Sequence, residues 1–208
     1  MFLFKFYLIS DHAHARHSPP QALPALAAAG LRALQVREKE RSPLGQADYA
    51  IQLLHALGGR RNGLWLFLND RADIALSLGL DGVHLRSDSL PLERHAPALR
   101  DGLLFGVSTH SLAGARTAES AGADFITFGP VYDTPSKAPY GPPVGLRALE
   151  QVARAVRVPV FALGGITPAR VRDCLDAGAY GVSAISAVWN APHPVEALLA
   201  FRDALGSL

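Results

Sequence analysis

The chain has a single cysteine, Cys174, so an internal disulfide is excluded and a reducing, cytoplasmic setting is expected. Lysine is nearly as scarce: Lys5, Lys39 and Lys137 stand against seventeen arginines. No Lys/Arg run occurs and the net charge is only +2, which removes the electrostatic footprint expected of a nucleic-acid binder. No apolar run has the length of a membrane span. The apolar opening, residues 1–10, is too short for one and lacks the basic flank and cleavage signal of a secretion peptide, so it reads as a first strand. Linkers and low-complexity tracts are missing too, and 208 residues fit one domain, 1–208, with a sizeable core.

What is present is a repeated phrase. Ala28-Ala29-Gly30, Leu78-Gly79, Ala121-Gly122 and Ala177-Gly178 each precede a short β-rich run within a few residues. Each reads as a helix ended by a glycine just past its last turn and followed by a buried strand. The expected strands are 2–9, 33–37, 64–68, 82–85, 103–107, 125–128, 159–163 and 181–185. Amphipathic stretches at 21–29, 44–58, 71–79, 90–99, 111–122, 146–156, 168–177 and 194–206 fill the gaps. Strict βα alternation implies parallel strands with right-handed crossovers, and eight units point to a closed (β/α)₈ barrel, a TIM barrel of the α/β class. An open doubly wound sheet would need a glycine-rich turn after its first strand, where this chain has Ser10-Asp11-His12-Ala13-His14.

Chemistry in such a barrel sits where strands exit at the C-terminal mouth. Those exits carry Gln35, Arg37 and Lys39 after strand 2 and Asn69-Asp70 after strand 3. His84 and Asp88 follow strand 4, and Ser108-Thr109-His110 follow strand 5. Strand 6 leads through Gly129-Pro130 into a long loop holding Thr134, Ser136 and Lys137. Strands 7 and 8 end in Gly164-Gly165-Ile166-Thr167 and Ser183-Ala184-Ile185-Ser186. Gln35, Arg37 and Lys39 alternate as if on one face of a strand. Two cations in file at a strand end call for an anion, and a lysine in an arginine-rich chain suggests a compact point charge. The glycine pair before Thr167-Pro168 lets backbone N–H groups approach a phosphate at a helix N-terminus. Arg37, Lys39 and Lys137 lie too far round the mouth for that group, so a second anion is expected, with Asp70 placed to hold Mg²⁺. Two anion pockets and a metal carboxylate suggest the joining of two phosphorylated molecules. The proline-rich loop 133–145 is expected to act as a lid.

Several runs then resemble one family in order and spacing over essentially the whole chain. They are Tyr7-Leu8-Ile9-Ser10-Asp11, Gln35 through Lys39, Leu68-Asn69-Asp70, Asp81-Gly82-Val83-His84, Gly106-Val107-Ser108-Thr109-His110-Ser111, Phe128-Gly129-Pro130-Val131-Tyr132 and Gly164-Gly165-Ile166, with Gly181 through Ser186. They resemble the thiamin phosphate synthases and their relatives, the TenI-type thiazole tautomerases. The resemblance implies a transferase that condenses hydroxymethylpyrimidine diphosphate with a thiazole phosphate, releasing pyrophosphate. It implies that Arg37, Lys39, Asn69 and Lys137 hold the diphosphate, that Gln35 lies near the pyrimidine, and that Ser108 lies near the pyrimidine and leaving group. Thr134, Ser136, Gly165, Ile185 and Ser186 would receive the thiazole phosphate, and Asp70 would bind Mg²⁺.

One segment departs from the synthase pattern. After the strand-4 His the synthases carry Gly-Gln-acid-Asp, whereas this chain reads Leu85-Arg86-Ser87-Asp88-Ser89-Leu90-Pro91. Ser89 takes the second metal-ligand position and Asp88, the alternative ligand, comes one residue early. That stretch and Asn69-Asp70-Arg71 look more like the TenI type, while Gln35 and Gly129-Pro130 follow the synthases. Two other readings therefore stand beside the transferase: an isomerase acting on the thiazole phosphate alone, and a non-catalytic binder of thiazole or thiamin phosphate. The partners expected are phosphorylated pyrimidine and thiazole molecules, with no nucleic acid or membrane, and with room for a homo-oligomer. His12, His14 and His17 complete no recognised ligand spacing. His84 reads as a structural mouth residue, His110 as a second group near Ser108, and Trp189 as a rim or interface residue.

Overall fold

The computed structural model describes residues 4–95, 97–134 and 142–206. Eight parallel strands close into a barrel in chain order, each paired with its sequence neighbours and the last with the first. They are β1 (Phe6–Ile9), β2 (Ala33–Val36), β3 (Trp65–Asn69), β4 (Gly82–Leu85), β5 (Leu104–Thr109), β6 (Phe125–Phe128), β7 (Val160–Ala162) and β8 (Gly181–Ala184). The helices are α1 (Pro19–Ala28), α2 (Pro43–Ala56), α3 (Ala72–Ser77), α4 (Pro97–Gly102), α5 (Leu112–Ser120), α6 (Gly145–Ala155), α7 (Val171–Asp176), α8 (Ser186–Trp189) and α9 (Pro194–Ala204). Among the described residues no helix is long and apolar enough to cross a membrane.

The strands are short apolar runs because both faces are covered. One face meets the helices through a large aliphatic cluster that includes Leu8, Leu34, Leu68, Val83, Ile126 and Val182. The other fills the barrel with Phe4, Tyr7, Phe67, Phe125 and Phe161. Their rings meet edge to face or tilted, as with Tyr7 and Phe125 at 5.4 Å or Phe4 and Phe161 at 5.3 Å. The aromatic plug closes the lower barrel, so inward-facing side chains one step further along each strand stand at the mouth.

Helix ends follow the local chemistry. Ser42 and Ser111 accept backbone hydrogen bonds from Gly45 at 3.2 Å and Gly114 at 3.1 Å, capping α2 and α5. Gly30, Gly79, Gly122 and Gly178, the four glycines of the repeated phrase, all take positive φ and turn each helix into its next strand.

Four expectations are corrected. The extended run at strand 2 stops at Val36, leaving Arg37 and Lys39 in the loop beyond it. The helix expected over 90–99 is interrupted: a 3₁₀ turn covers Leu92–Arg94 and α4 is described from Pro97, a residue that suits a helix's first position. A four-residue helix, α8, which the sequence pattern did not include, follows strand 8 from Ser186 to Trp189. Trp189, expected at the rim, is buried, and its indole N–H donates to the Ile9 carbonyl oxygen at 2.8 Å.

Candidate active site

The strand pairing brings Gln35, Asn69, His84, Ser108, Thr127 and Ser183 to the upper barrel, as shown by the register of Ile9 with Gln35, Asn69 with His84, Ser108 with Thr127, and Tyr7 with Ser183. His84 is at the centre and 1% exposed. Its Nε2 lies 3.1 Å from Ser108 Oγ and 3.4 Å from Thr127 Oγ1, while Nδ1 lies 3.4 Å from the Tyr7 hydroxyl. Burial, with a further contribution from the Arg37 guanidinium, pushes the His84 pKa down to about 3. The imidazole is therefore neutral at ordinary pH and holds Ser108 by hydrogen bonding. Burial also raises the Tyr7 pKa, against a smaller opposite effect of the Gln35 amide.

Gly106 makes room for this network. A methyl group there would lie 2.4 Å from both His84 Nδ1 and the Phe125 ring. Two buried polar atoms at the same level, Gln35 Nε2 and Ser183 Oγ, have no hydrogen-bond partner of good geometry in the protein. Orphans of this kind are uncommon in native interiors and mark places where a ligand's polar atoms can pair.

Beyond β2 the chain is held by a carboxylate. Glu38 is buried; the Ser10 hydroxyl donates to its Oε1 at 2.7 Å and the His12 backbone N–H to its Oε2 at 3.1 Å. The Arg37 N–H donates to Ser10 Oγ at 2.9 Å. This clasp sets the direction of the residues either side of Glu38. Arg37 is half-buried and Lys39 exposed. Burial lowers the Arg37 pKa, offset by Asp11 and Glu38, and the Arg86 charge lowers it further. A guanidinium remains charged through such shifts. Glu38 is a site-shaping residue that sequence reasoning passed over, although an acid between two cations was a visible signal.

The strand-3 exit places Asp70 in the left-handed region, at φ +68, with its N–H on the His84 carbonyl oxygen at 3.0 Å. Ser89 Oγ donates to Asp70 Oδ1. Arg86 Nε approaches Asp70 Oδ2 at 3.7 Å and Asp88 Oδ1 at 3.1 Å. Asp88 is 73% exposed and turned to this guanidinium. Among the described residues no group of three His, Cys, Asp or Glu side chains could hold a metal ion. A resident Mg²⁺ does not fit this donor set: Ser89 is hydrogen-bonded to Asp70 Oδ1, the Arg86 cation stands 3.7 Å from Oδ2, and Asp88 is paired with the same guanidinium.

At the far side of the mouth, Gly165 takes φ +64 and a Cβ there would come within 2.5 Å of the Asp133 carbonyl oxygen. Tyr132 N–H donates to the Gly164 carbonyl oxygen at 3.0 Å, so the residues leading to Thr134 lie against the glycine turn. Arg170 braces the turn, donating to the Gly165 carbonyl oxygen at 2.6 Å with its guanidinium 4.4 Å over the Tyr132 ring. Ile185 precedes α8, whose first residue, Ser186, is exposed. Ser136, Lys137 and most of the expected lid lie outside the described residues. His110 Nδ1 contacts the Gly129 carbonyl oxygen at 2.5 Å. His14 pairs with Asp11, and His17 with the Ala191 carbonyl oxygen, so these loop imidazoles serve local structure. A separate open depression of about 760 Å³ lies at the opposite end of the barrel, lined by Trp65, Asp81, Glu93, Arg100 and Asp124 among others. Its size does not make it the site: the buried histidine network and the orphaned Gln35 and Ser183 atoms are at the mouth, whereas the depression is lined by an orphaned His95 Nε2 and ordinary surface charges.

A family profile described as thiamine monophosphate synthase (TMP-TENI) matches residues 6–188. The protein of Geobacter sulfurreducens named "Putative thiamine-phosphate synthase" is 45% identical over 93% of this chain and 90% of its own length. The thiamine-phosphate synthase of Roseiflexus castenholzii is 36% identical, covering 95% of this chain and 86% of its own. Among solved structures, thiamine phosphate pyrophosphorylase from Pyrococcus furiosus superposes with a TM-score of 0.84 at 30% identity, over 97% of this chain and 95% of that one. The barrel, the mouth residues and these likenesses agree: the chain belongs to the thiamine monophosphate synthase family.

Proposed function

We propose that this protein is a transferase that joins hydroxymethylpyrimidine diphosphate to thiazole phosphate. The bond between the pyrimidine methylene and the diphosphate oxygen breaks, its electron pair leaving with pyrophosphate. A new bond forms between that methylene and the thiazole ring nitrogen, giving thiamin phosphate. The observation that carries this reading is the upper barrel itself: an uncharged polar ring with orphaned Gln35 Nε2 and Ser183 Oγ, bordered by the Arg37 guanidinium.

Each residue then has a task. Gln35 donates to the pyrimidine ring. Ser108, oriented by neutral His84, contacts the pyrimidine and the departing oxygen. Arg37, Lys39, Asn69 and Lys137 hold the diphosphate, whose charge grows as the bond breaks, so fixed cations stabilise the transition state more than the ground state. Thr134, Ser136, Gly165, Ile185 and Ser186 receive the thiazole phosphate, with backbone N–H groups of the glycine turn near it. Asp70 is the carboxylate that would meet a Mg²⁺ carried in on the diphosphate, where the ion would neutralise part of the leaving group's charge, while Asp88 is paired with Arg86. A cytoplasmic setting belongs to the same proposal, which leaves room for a homo-oligomer.

The altered segment from Arg86 to Ser89 favours a second reading, an isomerase of the thiazole phosphate. Two assays on one preparation separate them. A transferase forms thiamin phosphate from both substrates with Mg²⁺. An isomerase converts the carboxylated thiazole phosphate by itself, without metal, and forms no thiamin phosphate.

A further inference from the structure

We propose that Arg86 is a diphosphate-contacting residue, supplying from the β4 exit positive charge that a second metal-holding carboxylate would otherwise recruit. The inference rests on the placement of the diphosphate proposed above and adds a residue that the placement does not include.

Arg86 directly follows β4, and β4 lies beside β3, whose exit carries Asp70. Its guanidinium Nε stands 3.7 Å from Asp70 and 3.1 Å from Asp88. The turn is closed on itself: Arg86 N–H donates to Ser89 Oγ at 2.8 Å, and that hydroxyl donates onward to Asp70. Serine thus ties the turn to Asp70 without adding a negative charge there. Arg37 leaves the exit of β2, on the other side of β3, and the Arg86 charge is the smallest of the influences that lower its pKa. Two cations from strands flanking Asp70 are set to bracket an anion.

The ion pairs that hold Arg86 now are weak ones. Its side chain is 44% exposed, and a solvated pair contributes little. A diphosphate carries several charges and presents paired oxygens that match the planar fork of a guanidinium, so exchange of Asp88 for the diphosphate is favourable. Asp70 is left less encumbered once the guanidinium turns to the diphosphate. The chain should therefore bind diphosphate with a reduced need for divalent metal.

Inorganic pyrophosphate is the probe, titrated calorimetrically into the full-length protein in EDTA and again with Mg²⁺, for wild type, Arg86→Gln and Arg37→Gln. Far-ultraviolet circular dichroism checks that each variant is folded; Arg86 is exposed and its removal leaves no cavity. Wild type should bind pyrophosphate in EDTA, Arg86→Gln should weaken that binding at least tenfold, and Mg²⁺ should restore most of the loss. Wild type that binds only with Mg²⁺ would overturn the proposal. So would Arg86→Gln within twofold of wild type while Arg37→Gln loses tenfold, and in that case the placement of the diphosphate stands. If neither substitution alters binding, the placement fails and the inference with it.

Discussion

Gly106 and His84 show how one position constrains another at the residue scale. A Cβ on residue 106 would press on His84 Nδ1 and the Phe125 ring at 2.4 Å. Gly106→Ala should destabilise the protein by about 1–3 kcal/mol, the usual range for overfilling a tight core, and urea unfolding measures it. His84 itself makes stability depend on pH. Its pKa is about 3 in the folded protein against an ordinary 6.5, so between those values the unfolded chain binds more protons. The stability is fully present above 6.5 and declines as pH falls toward 3, by up to about 1.4 kcal/mol per unit. Between pH 6.5 and 5, where few carboxylates titrate, His84→Gln should lose stability more slowly than wild type as pH is lowered. Equal slopes would mean that His84 takes up protons in the fold as freely as it does unfolded.

At the scale of elements, the exit of β2 sets the cations. Glu38→Ala would strand the Ser10 hydroxyl and the His12 N–H, each now donating to the carboxylate. A loss of about 1–3 kcal/mol is expected in equilibrium unfolding, the scale of a buried group left unpaired. Diphosphate affinity should fall with it, since Arg37 and Lys39 flank the clasp. This exit also shows where sequence reasoning is strong and where it stops. Arg37 and Lys39 were legible as paired cations, but alternation made the strand too long, because hydrogen bonds to Glu38 from another loop take the chain out of the sheet. Four glycine turns were legible because a helix end needs positive φ there. The four residues of α8 were not, since a single turn has no periodicity to read. Trp189 gave no sign of its partner, the Ile9 carbonyl oxygen, 180 positions away. Contacts between loops, such as Arg86 with Asp70, are likewise silent in a pattern of types and spacings.

At the scale of the whole molecule, the closed barrel was legible because eight alternating units with both strand faces covered leave few other arrangements. The barrel in turn brings exits far apart in sequence to one mouth. Mg²⁺ should bind the free protein weakly, with calorimetric affinity rising only when pyrophosphate is present, because among the described residues no group of three His, Cys, Asp or Glu side chains is in place to hold it. Tight binding of Mg²⁺ alone would show a ligand set different from the one described. The central claim is that the mouth cations drive departure of the diphosphate as the thiazole nitrogen takes its place. It is tested most directly by following pyrophosphate and thiamin phosphate together, in wild type and in Arg37→Ala, with both substrates and Mg²⁺. The account predicts equal amounts of the two products from wild type. Arg37→Ala should be roughly tenfold to a hundredfold slower, as loss of a charge-assisted bond of about 1.5–3 kcal/mol implies. Wild-type protein that is folded and saturated yet releases no pyrophosphate and forms no thiamin phosphate would contradict it.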